Sequence, residues 1–222
     1  MGKRSNFPRI PKDLYLTIDP RAVPPVIPFL TYEGIRTFVD PCWGWGHLVG
    51  PLTRAGLTCL GRYDVAPRMA RKVDPDLPGL QGHVIQRDGR ELSFADLNGA
   101  DAIVTNPPWS RQLLHALIIR WSVMVPTWLL FDAGWKHTAQ AAQLMRAYCT
   151  DYVPLPRLQW IPGTADTATD DCGWYRFHAA EAAQGRGTRF WPLGAIPLAG
   201  LPEANPMARA DDNSRFQLAI GA

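Results

Sequence analysis

An α/β fold built on one mostly parallel sheet is the architecture that this 222-residue sequence predicts. Three observations carry it. Short apolar segments alternate with segments whose apolar residues recur at helical spacing. A glycine turn, Gly44-Trp45-Gly46, directly follows one of the apolar segments, and a stiff corner, Asn106-Pro107-Pro108-Trp109, closes another.

Taken in order, the apolar segments place strands at 37–40, 58–64, 83–88, 101–105, 127–132, about 153–160 and 172–178. Helices are expected near 47–55, 66–73, 110–124 and 138–149. The stripe Leu113, Leu114, Leu117, Ile118 and Trp121 in the third, and Ala141, Leu144, Met145 and Tyr148 in the fourth, have the spacing of core-facing helix sides and are expected in the core rather than in a site. The last two strands are joined by a loop running from Pro162 to Asp171. Residues 36–180 make the body. Residues 1–35 form a proline-rich segment, and residues 181–222, rich in Gly, Ala and Pro with Arg186, Arg189, Arg209 and Arg215, read as a partly ordered tail.

Chemistry concentrates at the two turns. Gly44 and Gly46 let backbone approach a ligand closely, and the helix start after them offers free N–H groups to a carboxylate or phosphate. Val49 stands where a dinucleotide fingerprint needs a small residue, which disfavours a nicotinamide or flavin. At the corner, Pro107 and Pro108 fix φ and remove two donors, leaving the Asn106 amide and the Pro107 carbonyl as acceptors beside the plane of Trp109. That combination suits a flat ring bearing an amino group.

The order Asp40-Pro41-x-x-Gly44-x-Gly46, then Asn106-Pro107-Pro108-Trp109, resembles the S-adenosylmethionine-dependent amino-methyltransferases, the DNA adenine-N6 methyltransferases above all. Thr58–Asp64 and His83–Asp88 look like that family's second and third strands with their terminal acids, and the resemblance covers roughly residues 13–178. It implies a Rossmann-like class I methyltransferase fold with a seven-stranded, mostly parallel sheet that the last two strands end as an antiparallel hairpin, S-adenosylmethionine as cofactor and DNA as partner. The implied cofactor site is Tyr15, Thr17, Asp40, Pro41, Gly44, Gly46, Asp64, Val65, Asp88 and Asn106, with Asp64 on the ribose hydroxyls and Asp88 on the adenine amino group. Tyr15 and Thr17 match a tyrosine-x-threonine segment that covers the cofactor's methionine end, and read equally well as structural. The implied catalytic residues are Asn106, Pro107, Pro108 and Trp109, the last as a stacking face for an extruded base, where phenylalanine would also serve. Trp45 departs from the family, which has a small or polar residue there, and would crowd the methionine end. Two alternatives stay open: an amino-methyltransferase acting on RNA or on a protein glutamine, and a silent S-adenosylmethionine-binding module.

Bulk properties fit a soluble enzyme. No run of eighteen apolar residues is present, and the basic start Met1–Asn6 lacks the apolar stretch of a signal peptide. Four cysteines without a C-x-x-C pair point to reduced thiols, a cytoplasmic location and no zinc. A net charge of +3 is compatible with a polyanion without requiring one. Of the nine tryptophans, Trp109, Trp160 and Trp174 are expected at the strand ends facing substrate.

Overall fold

The structure is a computed structural model that describes residues 15–67, 83–160 and 171–195. Eight strands form one sheet in the order β3-β2-β1-β4-β5-β7-β6-β8. The strands are β1 (Thr37–Asp40), β2 (Thr58–Asp64), β3 (Ile85–Gln86), β4 (Ala102–Thr105), β5 (Thr127–Asp132), β6 (Cys149–Pro154), β7 (Cys172–Phe177) and β8 (Arg189–Phe190). The first five pair in parallel, β7 inserts antiparallel between β5 and β6, and β8 lies parallel to the outer side of β6. The expected seven-stranded sheet is therefore present with its terminal hairpin, and an eighth short strand extends it. β6 begins four residues earlier than the sequence predicts, directly after the helix α4 (Ala139–Tyr148).

Burial on both faces explains the near-continuous apolar strands. On β5, Trp128 and Leu130 enter the core layer shared with α1 (Ile27–Tyr32) and α2 (Val49–Arg54). Leu129 and Phe131 face the opposite layer with α3 (Arg111–Ser122) and α4. Phe38 and Val39 divide β1 in the same way. A short helix, α5 (Ala179–Ala182), follows β7.

The segment before β1 is built into the fold. Pro24 and Pro25 open a 3-10 turn that runs into α1, where Pro28 sits in the first turn and needs no N–H partner. Val26, Phe29 and Leu30 of this unit are buried in the sheet's core. Trp174, expected to face substrate, is instead fully buried in β7, and its indole N–H donates to the Ala22 carbonyl at 2.8 Å. The helix expected at 66–73 for its greater part, and the loop at 161–170, lie outside the described residues. Among the described residues, no helix is long and apolar enough to cross a membrane.

Candidate functional site

In this strand order, β1 and β4 are neighbours whose connections leave in opposite directions, and a crevice opens beyond their carboxyl ends. A cavity of about 330 Å³ lies there. Backbone from the glycine turn, the end of β2 and the start of the corner surround it: Pro41, Cys42 and Gly44 on one side, Asp64, Val65 and Ala66 on the second, Asn106 and Pro108 on the third. Leu113 and Leu117 of α3 supply an apolar wall, so part of the α3 stripe, which packs in the core as expected, also borders the cavity. Tyr15 and Leu16 also border it.

The glycine turn requires its glycines. Gly44 and Gly46 have φ of +56° and +75°. A Cβ on Gly46 would stand 2.6 Å from the Trp43 ring, and one on Gly44 would stand 3.1 Å from Leu16. The side chain of Trp45 is 43% exposed, beside His47. It lines a second, narrow cleft of about 20 Å³ with Thr17, Asp40 and Trp43. The larger cavity is left unobstructed by it.

At the corner, the Asn106 side chain is held at both ends. Its amide nitrogen donates to the Tyr15 carbonyl at 2.7 Å and to Thr17 Oγ1 at 3.1 Å. Its oxygen accepts the indole N–H of Trp109 at 3.0 Å. A backbone carbonyl only accepts and an indole N–H only donates, so the amide has one orientation. Both amide hydrogens are used, and Oδ1 keeps one lone pair. Thr17 and the Tyr15 backbone thus anchor the asparagine itself. Trp109 packs against Tyr15 with ring centroids 4.8 Å apart and edge-on against Trp160 at 5.2 Å.

The three acids differ sharply: Asp40 and Asp64 end their strands, whereas β3 stops at Gln86 and Asp88, expected to end it, caps the 3-10 turn Gly89–Glu91. Asp64 accepts the Gly44 N–H and the Ala66 N–H, at 2.8 Å each, which ties the glycine turn to β2 while leaving lone pairs on both oxygens. The Asp88 carboxylate accepts the Arg90 N–H and is paired with the Arg90 guanidinium, which holds it below the usual carboxylate range. Asp40 is buried and accepts the Thr105 hydroxyl at 2.6 Å and the Cys42 N–H at 3.1 Å, so it fixes the loop.

Burial pushes Asp40 from 3.8 up to about 7, against the lowering effect of those two hydrogen bonds. The folded chain therefore keeps a proton that the unfolded chain releases, and stability is lost as pH rises from about 4 to about 7. Asp40→Asn retains an oxygen for both donors without the charge. Its urea midpoint should exceed that of the parent chain at about pH 8, with the gain vanishing near pH 4. A gain unchanged across that range would show that Asp40 does not titrate in this window.

No known family and no curated protein matches the sequence. Solved structures do. A protein assigned as an RNA methyltransferase from Pyrococcus horikoshii aligns over 69% of this chain and 81% of its own, with a TM-score of 0.52 and 15% identity. The chain has the class I methyltransferase fold. Weaker likenesses are a magnesium protoporphyrin IX methyltransferase from Synechocystis with bound S-adenosylmethionine and a type I restriction-modification methyltransferase subunit from Streptococcus thermophilus. The first has a TM-score of 0.49 and 14% identity, over 69% of this chain and 76% of its own. The second has 0.48 and 11%, over 76% of this chain and 45% of its own.

In this class I sheet, most of the residues singled out from sequence come together around one crevice, while Gly46, Pro107 and Trp109 line neither of the two cavities described. Tyr15, Pro41, Gly44, Asp64, Val65, Asp88, Asn106 and Pro108 line the larger cavity. Thr17 and Asp40 line the cleft beside it. Leu16, Cys42, Leu113 and Leu117 were missed as site residues. Cys42 could have been found from its place inside the glycine turn. Leu113 and Leu117 carry no such signal, because a helical stripe reads alike whether it covers core or ligand. Among the described residues, no group of three His, Cys, Asp or Glu residues could hold a metal ion.

Proposed function

We propose that this protein transfers a methyl group from S-adenosylmethionine to the exocyclic amino group of adenine in DNA. The observation that carries this reading is the two-ended grip on Asn106, which leaves one acceptor lone pair on Oδ1 at the rim of the cavity. An exocyclic amine is a weak nucleophile, because its lone pair is delocalised into the ring. Acceptors fixed at its two hydrogens favour the pyramidal nitrogen of the transition state. Asn106 Oδ1 and the Pro107 carbonyl fill that role, and the Pro107-Pro108 pair keeps them from drifting. The methylated nitrogen then releases its proton to solvent.

The cavity fits the cofactor's nucleoside half. Asp64 presents unused lone pairs for two hydroxyls, and Val65, Leu113 and Leu117 offer apolar faces to a ring. Asp88 is already paired with Arg90, and an amino group reaching it would share the carboxylate with that guanidinium. S-Adenosylmethionine supplies an activated methyl on a sulfonium, and positioning by the chain's own residues supplies the rest.

A second reading, methylation of an amino group in RNA, is favoured by the likeness to the Pyrococcus protein. Tritiated methyl transfer to DNA, RNA and protein in parallel, followed by nucleoside analysis, separates the two. N6-methyladenine in DNA is the expected product. Label in RNA or protein alone moves the assignment. Calorimetry should show one S-adenosylmethionine site, weakened in Asp64→Ala by about 1.5–3 kcal/mol; an unchanged affinity would remove Asp64 from it.

A further inference from the structure

We infer that Trp109 is a positioning residue whose indole N–H, rather than its ring face, is what the reaction depends on. The inference rests on the amine-methylation reading above and adds a role that the stacking expectation did not contain.

The face of Trp109 is engaged before any substrate arrives: Tyr15 lies against it at 4.8 Å with planes inclined by 35°, and Trp160 meets it edge-on at 5.2 Å. Tyr15 and Trp160 also touch each other at 6.0 Å, so the three rings close into one packed cluster. A base could stack on the face that Tyr15 covers only after part of that cluster had opened. The indole N–H, by contrast, already acts on the residue that holds the amine, donating to Asn106 Oδ1 at 3.0 Å.

The asparagine amide is a rigid plane that turns about a soft, broad terminal torsion, so the bond at its oxygen tightens an orientation that the two bonds at its nitrogen also restrain. Tyr15 and Thr17 hold the nitrogen. Only Trp109 holds the oxygen among the hydrogen bonds described for this side chain. The residue sits three positions after Asn106, across two prolines whose fixed φ values make that span reproducible. A phenyl ring at this position would keep the plane and lose the donor. Without it, the amide plane keeps the two restraints at its nitrogen and loses the one at Oδ1, which widens the range of directions in which the acceptor points.

The test separates donor from plane. In Trp109→Phe, kcat should fall about tenfold or more while KM for DNA and the affinity for S-adenosylmethionine stay within about twofold, as for a misplaced transition-state acceptor. Replacing Trp109 by benzothienylalanine, which substitutes sulfur for the N–H and keeps the bicyclic plane, should reproduce the loss in kcat. Normal kcat in both variants, or a rise confined to KM, would overturn the inference.

A spectroscopic readout needs no turnover. The indole N–H resonance missing from Trp109→Phe should exchange slowly with solvent in the parent chain, then shift and exchange faster in Asn106→Ala. A fast-exchanging signal that is indifferent to Asn106 would overturn the clamp. If the parent protein transfers methyl to no acceptor, the functional reading fails, and the resonance still decides whether the clamp exists.

Discussion

Asn106→Ala is expected to lower methyl transfer by a factor on the order of a hundred or more, the loss typical of removing one preorganised group that acts on the transition state. The structure adds a second effect that the sequence did not foretell. The Asn106 amide also holds the Tyr15 carbonyl and Thr17 Oγ1, and Tyr15 and Leu16 border the cofactor cavity. The alanine variant therefore unhooks that segment, and cofactor affinity should weaken as well, by about 1–3 kcal/mol for the unpaired carbonyl. Asn106→Asp makes a stricter comparison. It keeps an oxygen for the Trp109 N–H but sets a second oxygen against the Tyr15 carbonyl, where no hydrogen is left to share. Its turnover should fall like that of alanine. Single-turnover rates and calorimetry on both variants check this. Near-normal rates in either would make the corner a structural turn.

Arg176→Met should destabilise the fold by about 3–5 kcal/mol, the range for removing one partner of a buried charge cluster. The Arg176 side chain is 6% exposed and reaches Glu33 Oε1 at 2.8 Å, Glu181 Oε2 at 2.6 Å and Thr150 Oγ1 at 2.7 Å. Asp151, also buried, lies 3.8 Å away and is shared with Arg189 of β8. Methionine would fill much of the volume and leave the carboxylates facing one another. Burial, outweighing the pull of Arg176, already raises Glu33 from 4.5 to about 6. The folded chain thus keeps a proton on Glu33 that the unfolded chain has given up, and this group's contribution falls as pH climbs from about 4.5 to about 6. Adding Glu33→Gln to Arg176→Met should recover part of the loss at neutral pH. Urea unfolding of the parent, each single variant and the double variant at about pH 5 and pH 7 provides the measurement, and additive effects of the two substitutions would show that they are not coupled.

Where local pattern and tertiary environment agree, the fold was legible. β1, β2 and β5 fall where apolar, β-branched residues end at an acid, with the limits expected. β6 was displaced because Cys149-Thr150-Asp151 reads as a helix ending in a polar turn. Asp151 lies inside the strand because Arg189 and the Trp191 indole satisfy it, and those residues are distant in sequence. α1 was hidden by its prolines, which sit where a helix start tolerates them. The residues that the turn after β1 and the corner after β4 bring to the crevice were readable from order and spacing, since the two meet by topology alone, whereas Leu113 and Leu117 were not. The hydrogen bonds at Asn106 were not readable. They join residues 15, 17, 106 and 109 by directions that no one-dimensional pattern encodes.

The anchoring of the segment at 15–22 also sets a timetable for synthesis. Tyr15 meets Asn106 across 91 positions, Asp19 accepts the Gln159 N–H across 140, and Ala22 accepts the Trp174 indole across 152. On the ribosome this stretch emerges before any of those partners, and contacts of such separation form slowly because the intervening chain must first be ordered. Only after β7 has entered the sheet can all three attachments exist together. A nascent chain halted shortly before β7 would hold the glycine turn and the Asn-Pro-Pro-Trp corner, yet lack the completed frame behind the residues that steady its amide.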